Sequence, residues 1–301
     1  MTFKIGNVKI KNNLVLAPMA GINDIPFRLL CKENGAGLLY TEMINANAIV
    51  RNNKSSLRLA KTLEIERPIS LQLFASKKEV IANAAKILES SVSIIDFNLG
   101  CPASKVVKAG AGAALLDKPK KVKEILEKLV SSVNVPITVK IRLGFNKINA
   151  LQISKIAEAA GVSAIAVHAR TFKQGFSGKA DLNSIKEIKE NISIPVIGNG
   201  DVSDLVSFKK MLEVSDAVMI GRAAKNNPAI FQEMISGKII GKKELFLRYC
   251  ELAKEQDCED FQKALIHALN FSSSLKDSRA LRRGLSKCKT IEELKDCFDL
   301  I

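Results

Sequence analysis

The chain has 301 residues, 47% of them hydrophobic, and a formal net charge of +15 at pH 7. This length allows a large buried core, as in one barrel domain with a small second domain, and no run approaches the ~20 apolar residues of a membrane-spanning helix. The positive charge favours a polyanionic partner, although a lysine-rich surface without such a partner would give the same total.

The first 11 residues alternate lysine with apolar residues and lack the long apolar core of a signal peptide. A period of strand followed by helix then recurs to about residue 237. The predicted strands cover residues 14–19, 38–43, 69–74, 94–99, 137–143, 164–169, 196–199 and 217–220. The predicted helices cover residues 76–90, 119–133, 150–160, 181–190 and 204–212, with Ser76 and Asp204 as N-caps. Eight strands alternating with helices predict a (β/α)8 TIM barrel, and an open doubly wound sheet is the alternative.

From residue 241 the pattern changes to helical spacing without strands. The helices predicted there cover residues 244–256, 260–272, 277–287 and 291–298. We therefore predict two domains, a barrel over residues 1–240 and a small helical domain over residues 241–301, joined by the linker of residues 237–241.

The six cysteines form no C-x-x-C pair and show no metal-ligand spacing, which favours a cytoplasmic protein with reduced thiols and no structural metal. One of them, Cys101, lies where the predicted strand 94–99 passes into a loop, in the sequence Asn98-Leu-Gly-Cys-Pro102. In barrel enzymes the chemistry takes place at such strand ends. A thiol there is a candidate nucleophile, metal ligand or proton donor, and the residues alone leave the three roles open.

Polar side chains end most of the predicted strands, at the edge where a barrel holds its active site. Because Lys and Arg are almost never buried unpaired, we expect these side chains to line a site. They are Glu42, Gln72, Asn98, Cys101, Lys140, Arg142, His168, Arg170, Asn199, Asp201 and Arg222. His168 is predicted to contact a ligand. Glu42 is either a further site residue or the ion-pair partner of a cation in this set, Lys140, Arg142 or His168.

The ends of the last two predicted strands are typical of a phosphate site. Gly200 and Gly221 allow backbone N–H groups to approach a ligand, and Arg222 adds positive charge. A helix predicted near residues 226–228 would add the positive end of its dipole. Ordinary glycine turns are the alternative.

Two further residues suit a flavin. The amide of Gln72 can pair with the pyrimidine edge of an isoalloxazine, and the cation of Lys140 can stabilise charge near N1. Pro18-Met-Ala20 would add backbone and apolar contacts to the ring. The barrel mouth therefore has the residue types of a flavin site.

Taken together, nine motifs resemble the tRNA-dihydrouridine synthase family, most closely its bacterial B-type branch. The motifs are Ala17-Pro-Met-Ala-Gly21, Thr41-Glu-Met43, Gln72-Leu-Phe74, Asp96-Phe-Asn-Leu-Gly-Cys-Pro102, Val139-Lys-Ile-Arg142, His168-Ala-Arg-Thr171, Gly178-Lys-Ala-Asp181, Gly198-Asn-Gly-Asp201 and Met219-Ile-Gly-Arg-Ala223. They cover residues 1 to about 235 in the order and spacing of the family, so the resemblance is highly specific.

The resemblance implies an FMN-dependent TIM barrel that reduces a uridine in tRNA to 5,6-dihydrouridine with NAD(P)H. It implies that FMN is bound at the following positions, with Gly200 added from the phosphate-site pattern: Pro18, Met19, Ala20, Gln72, Lys140, His168, Asn199, Gly200, Asp201, Gly221 and Arg222. Hydride from the flavin would add at uracil C6, and Cys101, as the general acid, would protonate C5. Asn98 and Arg142 would hold the flipped uracil, and Arg170 is predicted as a further substrate contact.

This role fits the chemistry of a thiol. A cysteine with a pKa near ~8.5 is protonated at neutral pH and can supply a proton. The target base has to leave the RNA stack, which suits an open, basic barrel mouth. Lys105 and Lys108, in the loop after Cys101, would meet phosphates there.

In the C-terminal part, Arg279, Arg282, Arg283 and Lys287 recur at helical spacing and predict a basic stripe that binds tRNA. A solvated helix face is the alternative. B-type relatives carry a Lys-His followed by an aromatic pair, whereas Ile266-His267 precedes Asn270-Phe271 here. His267 is predicted to be structural.

Two other functions fit part of these observations. A small-molecule flavin dehydrogenase of the dihydroorotate type would share the barrel and the cofactor, but it needs a closed site and no basic C-terminal domain. An RNA-binding protein without catalysis would not need Cys101, Gln72 and Lys140. The resemblance favours the tRNA-reducing enzyme, which we expect to be a cytoplasmic monomer that binds tRNA and NAD(P)H and no membrane.

Overall fold

The computed structural model describes residues 2–275 and 278–299. Within them, the strands are Phe3–Ile5 (β1), Val8–Ile10 (β2), Leu14–Leu16 (β3), Leu39–Asn45 (β4), Ile69–Phe74 (β5), Ile94–Leu99 (β6), Ile137–Arg142 (β7), Ala164–His168 (β8), Val196–Asn199 (β9) and Ala217–Ile220 (β10). The helices are Ile25–Glu33 (α1), Ala46–Val50 (α2), Lys54–Leu59 (α3), Lys78–Leu88 (α4), Ser104–Lys108 (α5), Pro119–Val130 (α6), Ala150–Ala159 (α7), Leu182–Asn191 (α8), Leu205–Glu213 (α9), Arg222–Asn226 (α10), Ile230–Ser236 (α11), Lys242–Glu255 (α12), Phe261–Phe271 (α13), Ser278–Leu285 (α14) and Ile291–Asp299 (α15).

Eight parallel strands form one sheet in the order β3-β10-β9-β8-β7-β6-β5-β4. The two edge strands approach each other through a parallel bridge between Val15 and Leu38, and the Leu16 N–H donates to the Leu38 carbonyl at 2.9 Å. The sheet is therefore a nearly closed barrel surrounded by helices, which confirms the predicted (β/α)8 fold. The open doubly wound alternative is wrong.

The strand predictions succeed because the barrel strands are short, largely apolar segments in which most side chains are buried. β5, β6, β9 and β10 have the predicted bounds, and Asp204 caps α9 by accepting from the Ser207 N–H at 2.7 Å. Ser76 is not a cap, because α4 begins at Lys78 and Lys77 holds the N-cap position.

The hairpin of β1 and β2 was not predicted. Its two strands pair antiparallel, and Gly6 takes a positive φ of 56° in the turn between them. Ile5 and Ile10 are fully buried in a cluster with residues inside the barrel, such as Val15 and Ile94. The hairpin therefore fills one end of the barrel with apolar side chains.

After β10 the described chain is helical. α12 packs against α1, and α13 packs against α10 and α12. The four predicted C-terminal helices correspond to α12–α15 within about two residues at each end, except that residue 277 lies outside the described residues. In the described part of the chain, no helix combines the length and the apolar character that crossing a bilayer requires.

Candidate active site

A cavity of about 910 Å³ opens at the carboxyl ends of the barrel strands. The structure brings the residues predicted for catalysis and FMN binding together in its wall, namely Cys101, Pro18, Met19, Ala20, Gln72, Lys140, His168, Asn199, Gly200, Asp201, Gly221 and Arg222. Asn98 and Arg142 line it as well. The parallel register explains the grouping, since Asn98 pairs with Lys140, and Arg142 pairs with His168.

A chain of buried hydrogen bonds runs from the barrel interior to Cys101. Gln72 donates through Nε2 to Asp96 at 2.8 Å, and its Oε1 accepts from Asn98 Nδ2 at 2.7 Å. Asn98 Oδ1 in turn accepts from the Cys101 N–H at 2.8 Å. Burial raises the pKa of Asp96 to about 6, although the hydrogen bond from Thr138 opposes that rise. This network fixes the amide orientations of Gln72 and Asn98 and holds the backbone of Cys101.

The thiol of Cys101 lies half-buried at the cavity wall. Burial raises its pKa above the usual value, against the opposing effects of a backbone hydrogen bond and of Arg142 and Lys140. The thiol is therefore protonated at neutral pH, which suits a proton donor better than a nucleophilic thiolate. Among residues 2–275 and 278–299, no group of three or more His, Cys, Asp or Glu side chains is arranged to hold a metal ion.

Lys140 lies on β7 beside Asn98 and donates through Nζ to Asn199 Oδ1 at 3.1 Å. Burial lowers its pKa to about 8, and the neighbouring Arg142 adds to the shift. The ammonium group therefore carries its charge at neutral pH and loses it just above. A cation of this kind is suited to an anionic group on a ligand.

Arg142 is held by the loops around it. Its Nε donates to the Gly100 carbonyl at 3.0 Å, and its Nη1 donates to the carbonyls of Thr171 at 3.1 Å and Gly175 at 2.9 Å. These contacts connect the loop after β6 with the loop after β8. The guanidinium is thus fixed in place before any ligand binds.

His168 lies at the end of β8, where it is buried beside four cationic side chains. Burial lowers its pKa to about 2, and repulsion from Lys140, Arg142, Arg170 and Arg222 adds to the shift. The imidazole is therefore neutral throughout the physiological range and can accept or donate a hydrogen bond without adding charge.

Asp201 joins two arginines. Arg170 Nη2 lies 2.6 Å from Asp201 Oδ2, and Arg222 Nη2 lies 3.0 Å from Oδ1. Arg170 is buried and also donates to the carbonyls of Ser177 and Gly178, so it lies behind the cavity wall and not in it. Arg222 is 58% exposed and faces the cavity.

Two expectations from the sequence need correction. No helix begins at residues 226–228. α10 starts earlier, at Arg222, and ends at Asn226, and α11 starts only at Ile230. Glu42 does not pair with Lys140, Arg142 or His168. It accepts from the Gly21 N–H and contacts Lys263 of α13. The sequence carries no signal for that contact, which joins positions 221 residues apart.

Phe176 was not predicted as a site residue. It lines the cavity, is 59% exposed, and its ring centroid lies 4.9 Å from the guanidinium of Arg222 and 5.7 Å from that of Arg142. Phe172 and Phe176 are the two aromatic residues in the otherwise polar loop after β8, and this pattern is the signal that could have identified Phe176.

The remaining predicted contacts lie outside the cavity wall. Lys105 and Lys108 are exposed on α5, directly after the Cys101 loop. Arg279, Arg282 and Arg283 are exposed on α14. The structure therefore places them as surface cations and does not bring them to the strand ends.

The cavity carries more positive than negative charge, since Lys140, Arg142 and Arg222 face the single carboxylate of Asp201. Its volume falls within the ~300–1,000 Å³ range of small-molecule sites. The amides of Gln72 and Asn98, which can pair with a polar ring edge, lie on one side of the cavity. The turns at Gly200 and Gly221 and the side chain of Arg222 lie on another side. The residues present therefore fit a ligand that combines a flat polar ring with a phosphate.

Comparison with known families gives a match over residues 15–300 to the sequence model described as dihydrouridine synthase. A tRNA-dihydrouridine synthase B from Vibrio parahaemolyticus is 47% identical over 239 residues, which cover 77% of this chain and 73% of that protein. The tRNA-dihydrouridine synthase B of Escherichia coli K12 is 44% identical over 239 residues, with 77% and 74% covered.

Solved structures share the fold at low identity. A 2-naphthoyl-CoA reductase in complex with 2-naphthoyl-CoA superposes with a TM-score of 0.61 at 11% identity, over 79% of this chain and 52% of that one. A variant of NCR from Zymomonas mobilis superposes with a TM-score of 0.58 at 15% identity, over 79% and 91%. These similarities concern the barrel architecture alone.

Proposed function

Since the chain belongs to the dihydrouridine synthase family, and is a tRNA-dihydrouridine synthase, we propose that its cavity binds FMN and that Cys101 protonates the target uracil. The family assignment removes both alternatives left by the sequence, the small-molecule dehydrogenase and the RNA-binding protein without catalysis.

The FMN phosphate would be held by the backbone at Gly200 and Gly221 and by the side chain of Arg222. Lys140 and Gln72 would contact the ring, and Pro18, Met19 and Ala20 would cover one side of it. When bound, FMN would supply the hydride that reduces the C5=C6 bond of uracil. Neutral His168 would hydrogen-bond the cofactor without adding to the positive charge of the site.

Cys101 would give its proton to uracil C5. The raised pKa keeps the thiol protonated at neutral pH, so the proton is available when negative charge develops on the base. The bond from its N–H to Asn98 fixes the loop that carries the thiol. The thiol would thus be held at the cavity wall, where it would face the bound uracil.

Asn98 and Arg142 would hold the flipped base. Arg142 is already bonded to three carbonyls, so its orientation costs little to keep when the substrate enters. Arg170 would act behind this wall by orienting Asp201, and not by contact with the base.

The tRNA would contact cations on both parts of the chain. Lys105 and Lys108 lie next to the Cys101 loop, and the arginines of α14 add a separate exposed basic surface. We assign residues 1–240 to an FMN-binding catalytic domain and residues 241–301 to a tRNA-binding domain. We propose that the protein acts in the cytoplasm with NADPH or NADH as reductant, and a monomeric state stays a prediction.

The observation that supports the FMN proposal most directly is the joint placement of Gln72, Lys140, Cys101 and Arg222 in one cavity. The test is to purify the protein, release any bound flavin by denaturation and identify it. The same preparation is then incubated with NADPH and unmodified tRNA, and dihydrouridine is measured. We expect FMN at close to one per chain and dihydrouridine only when both tRNA and reductant are present. A protein that cannot be loaded with FMN would contradict the proposal.

A further inference from the structure

The helix α13 contacts the barrel through two side chains on one of its faces. Lys263 and His267 are four residues apart and therefore project from the same side of the helix. Lys263 Nζ lies 3.1 Å from Glu42 Oε1, and His267 Nε2 lies 3.1 Å from Asp24 Oδ2. Asp24 ends the segment of residues 17–24, and Glu42 binds the Gly21 N–H within it, so both contacts of α13 act on this one segment.

Glu42 connects the first of these contacts to the cavity. Its second oxygen, Oε2, accepts from the Gly21 N–H at 2.5 Å. Gly21 has a positive φ of 78° and ends the turn that contains Pro18, Met19 and Ala20, which line the cavity. The conformation of this turn therefore depends on where the Glu42 carboxylate lies.

Lys263 compensates the charge of the buried Glu42 carboxylate. Glu42 is buried with 9% of its side chain exposed, whereas Lys263 reaches it from α13 with 27% exposed. A buried carboxylate is costly without a compensating cation, so removal of the cation favours movement of the carboxylate toward water. That movement would weaken its bond to the Gly21 N–H.

The second contact holds the far end of the segment. Asp24 Oδ1 accepts from the Phe27 N–H at 3.0 Å and caps α1, while its Oδ2 accepts from the Tyr249 hydroxyl at 3.0 Å. The His267 ring stacks on Phe27 at 4.9 Å with an interplanar angle of 16°. α13 is therefore seated firmly enough to place Lys263 over Glu42.

We propose that Lys263 is a positioning residue that holds Glu42 against the Gly21 amide and thereby fixes the turn of residues 17–21 that faces the cofactor. The inference rests on the proposed function only where it takes FMN as the ligand of that turn. It makes a residue of the C-terminal helices part of the support of the cofactor site.

The first test measures hydrogen exchange at the Gly21 amide in the protein without cofactor. We expect Lys263→Met to raise the exchange rate by about tenfold and Lys263→Arg to keep it within about twofold, because the cation is retained. Lys254→Met, which removes an exposed lysine from α12, is the matched control and should leave the rate unchanged. An unchanged rate in Lys263→Met would overturn the proposal whether or not FMN is the ligand.

The second test measures FMN affinity by the quenching of its fluorescence, in a double-mutant cycle. We expect Lys263→Met to weaken binding by about fivefold to tenfold in the wild-type background and by less than about twofold in a Glu42→Gln background, where no carboxylate remains to be held. An equal loss in both backgrounds, or no loss in the first, would overturn the positioning role. Wild-type protein that fails to bind FMN would contradict the proposed function, and exchange at Gly21 would still decide the role of Lys263. Melting temperatures close to wild type in each variant show that the fold is intact.

Discussion

At the mouth of the barrel the polar side chains are buried and held by one another, whereas on α14 the charged side chains are exposed. Gln72, Asp96 and Asn98 form a buried chain of hydrogen bonds, so each side chain has a fixed position away from water. Arg279 and Arg282 stand on a helix face in water. The first kind of surface can place one proton at one atom, and the second can attract a polyanion in many orientations.

The difference predicts that a substitution at the mouth should alter one step strongly, whereas a substitution on α14 should alter binding weakly. Buried networks lose their function when one member is removed, because the partners are left unsatisfied. Exposed cations are screened by salt, and each contributes a small and replaceable share of the attraction.

The largest effect is expected at Cys101. Cys101→Ala should slow the oxidation of the reduced enzyme by tRNA by roughly 10²–10⁴, the usual range for a lost general acid, and Cys101→Ser should be similarly slow. Reduction by NADPH should keep its wild-type rate, because no uracil takes part in that step. Stopped-flow absorbance of the flavin measures both steps, and Cys258→Ser is the control. Wild-type oxidation by tRNA in Cys101→Ala would show that the thiol is not the acid.

Arg222 should give the next largest effect. Arg222→Ala should weaken FMN binding by about 1.5–3 kcal/mol if the contact to the phosphate is charge-assisted. We expect the lower end of that range, because the side chain is 58% exposed and already pairs with Asp201. Equilibrium titration of the protein with FMN checks this value. Unchanged affinity would remove the phosphate assignment and make Arg222 a surface cation like those of α14.

The pH dependence should reveal the buried character of Lys140. Its pKa of about 8 means that its charge is present below pH 8 and lost above it. FMN affinity should therefore fall above pH 8 by up to about tenfold per pH unit. Lys140→Arg should move this fall to higher pH, because a guanidinium stays protonated. An affinity that does not change between pH 7 and pH 9 would contradict a contact between Lys140 and the cofactor.

The contribution of Lys140 to the stability of the fold should change in the opposite direction. The unfolded chain binds the Lys140 proton more tightly than the folded protein does, since the ordinary pKa is 10.5 and the folded value is about 8. The contribution of Lys140 to the free energy of unfolding therefore rises with pH between these values. A melting temperature measured at each pH then separates a loss of FMN binding in that window from unfolding.

The smallest effect is expected on α14. Arg279→Glu combined with Arg282→Glu should weaken tRNA binding by about threefold to tenfold at low salt and lower the salt dependence, while reduction by NADPH stays intact. The control makes the same charge change on α6, with Lys120→Glu and Lys128→Glu. Equal losses in both pairs would mean that tRNA responds only to total charge, and that α14 has no special place in docking.

The strand ends could be predicted because polar residues interrupt otherwise apolar runs there. Lys140 and Arg142 lie in a buried strand beside Ile137, Val139 and Ile141, and two cations in such a strand have few explanations besides a site. The β1–β2 hairpin escaped prediction because strands of three residues carry too little periodicity. The helix of Lys263 was predicted as a helix, yet nothing in its spacing indicates which carboxylate it meets.

The contacts of α13 also limit how the enzyme can be recombined with its relatives. A chimera with C-terminal helices from another protein would keep Glu42 and Asp24 in the barrel. The new helices would then have to supply a cation for Glu42 and an imidazole ring for Asp24. Positions 24, 42, 263 and 267 are therefore expected to be inherited as a set, and to vary together when they vary at all. The unit that evolution can exchange is then larger than the helices that we propose to contact tRNA.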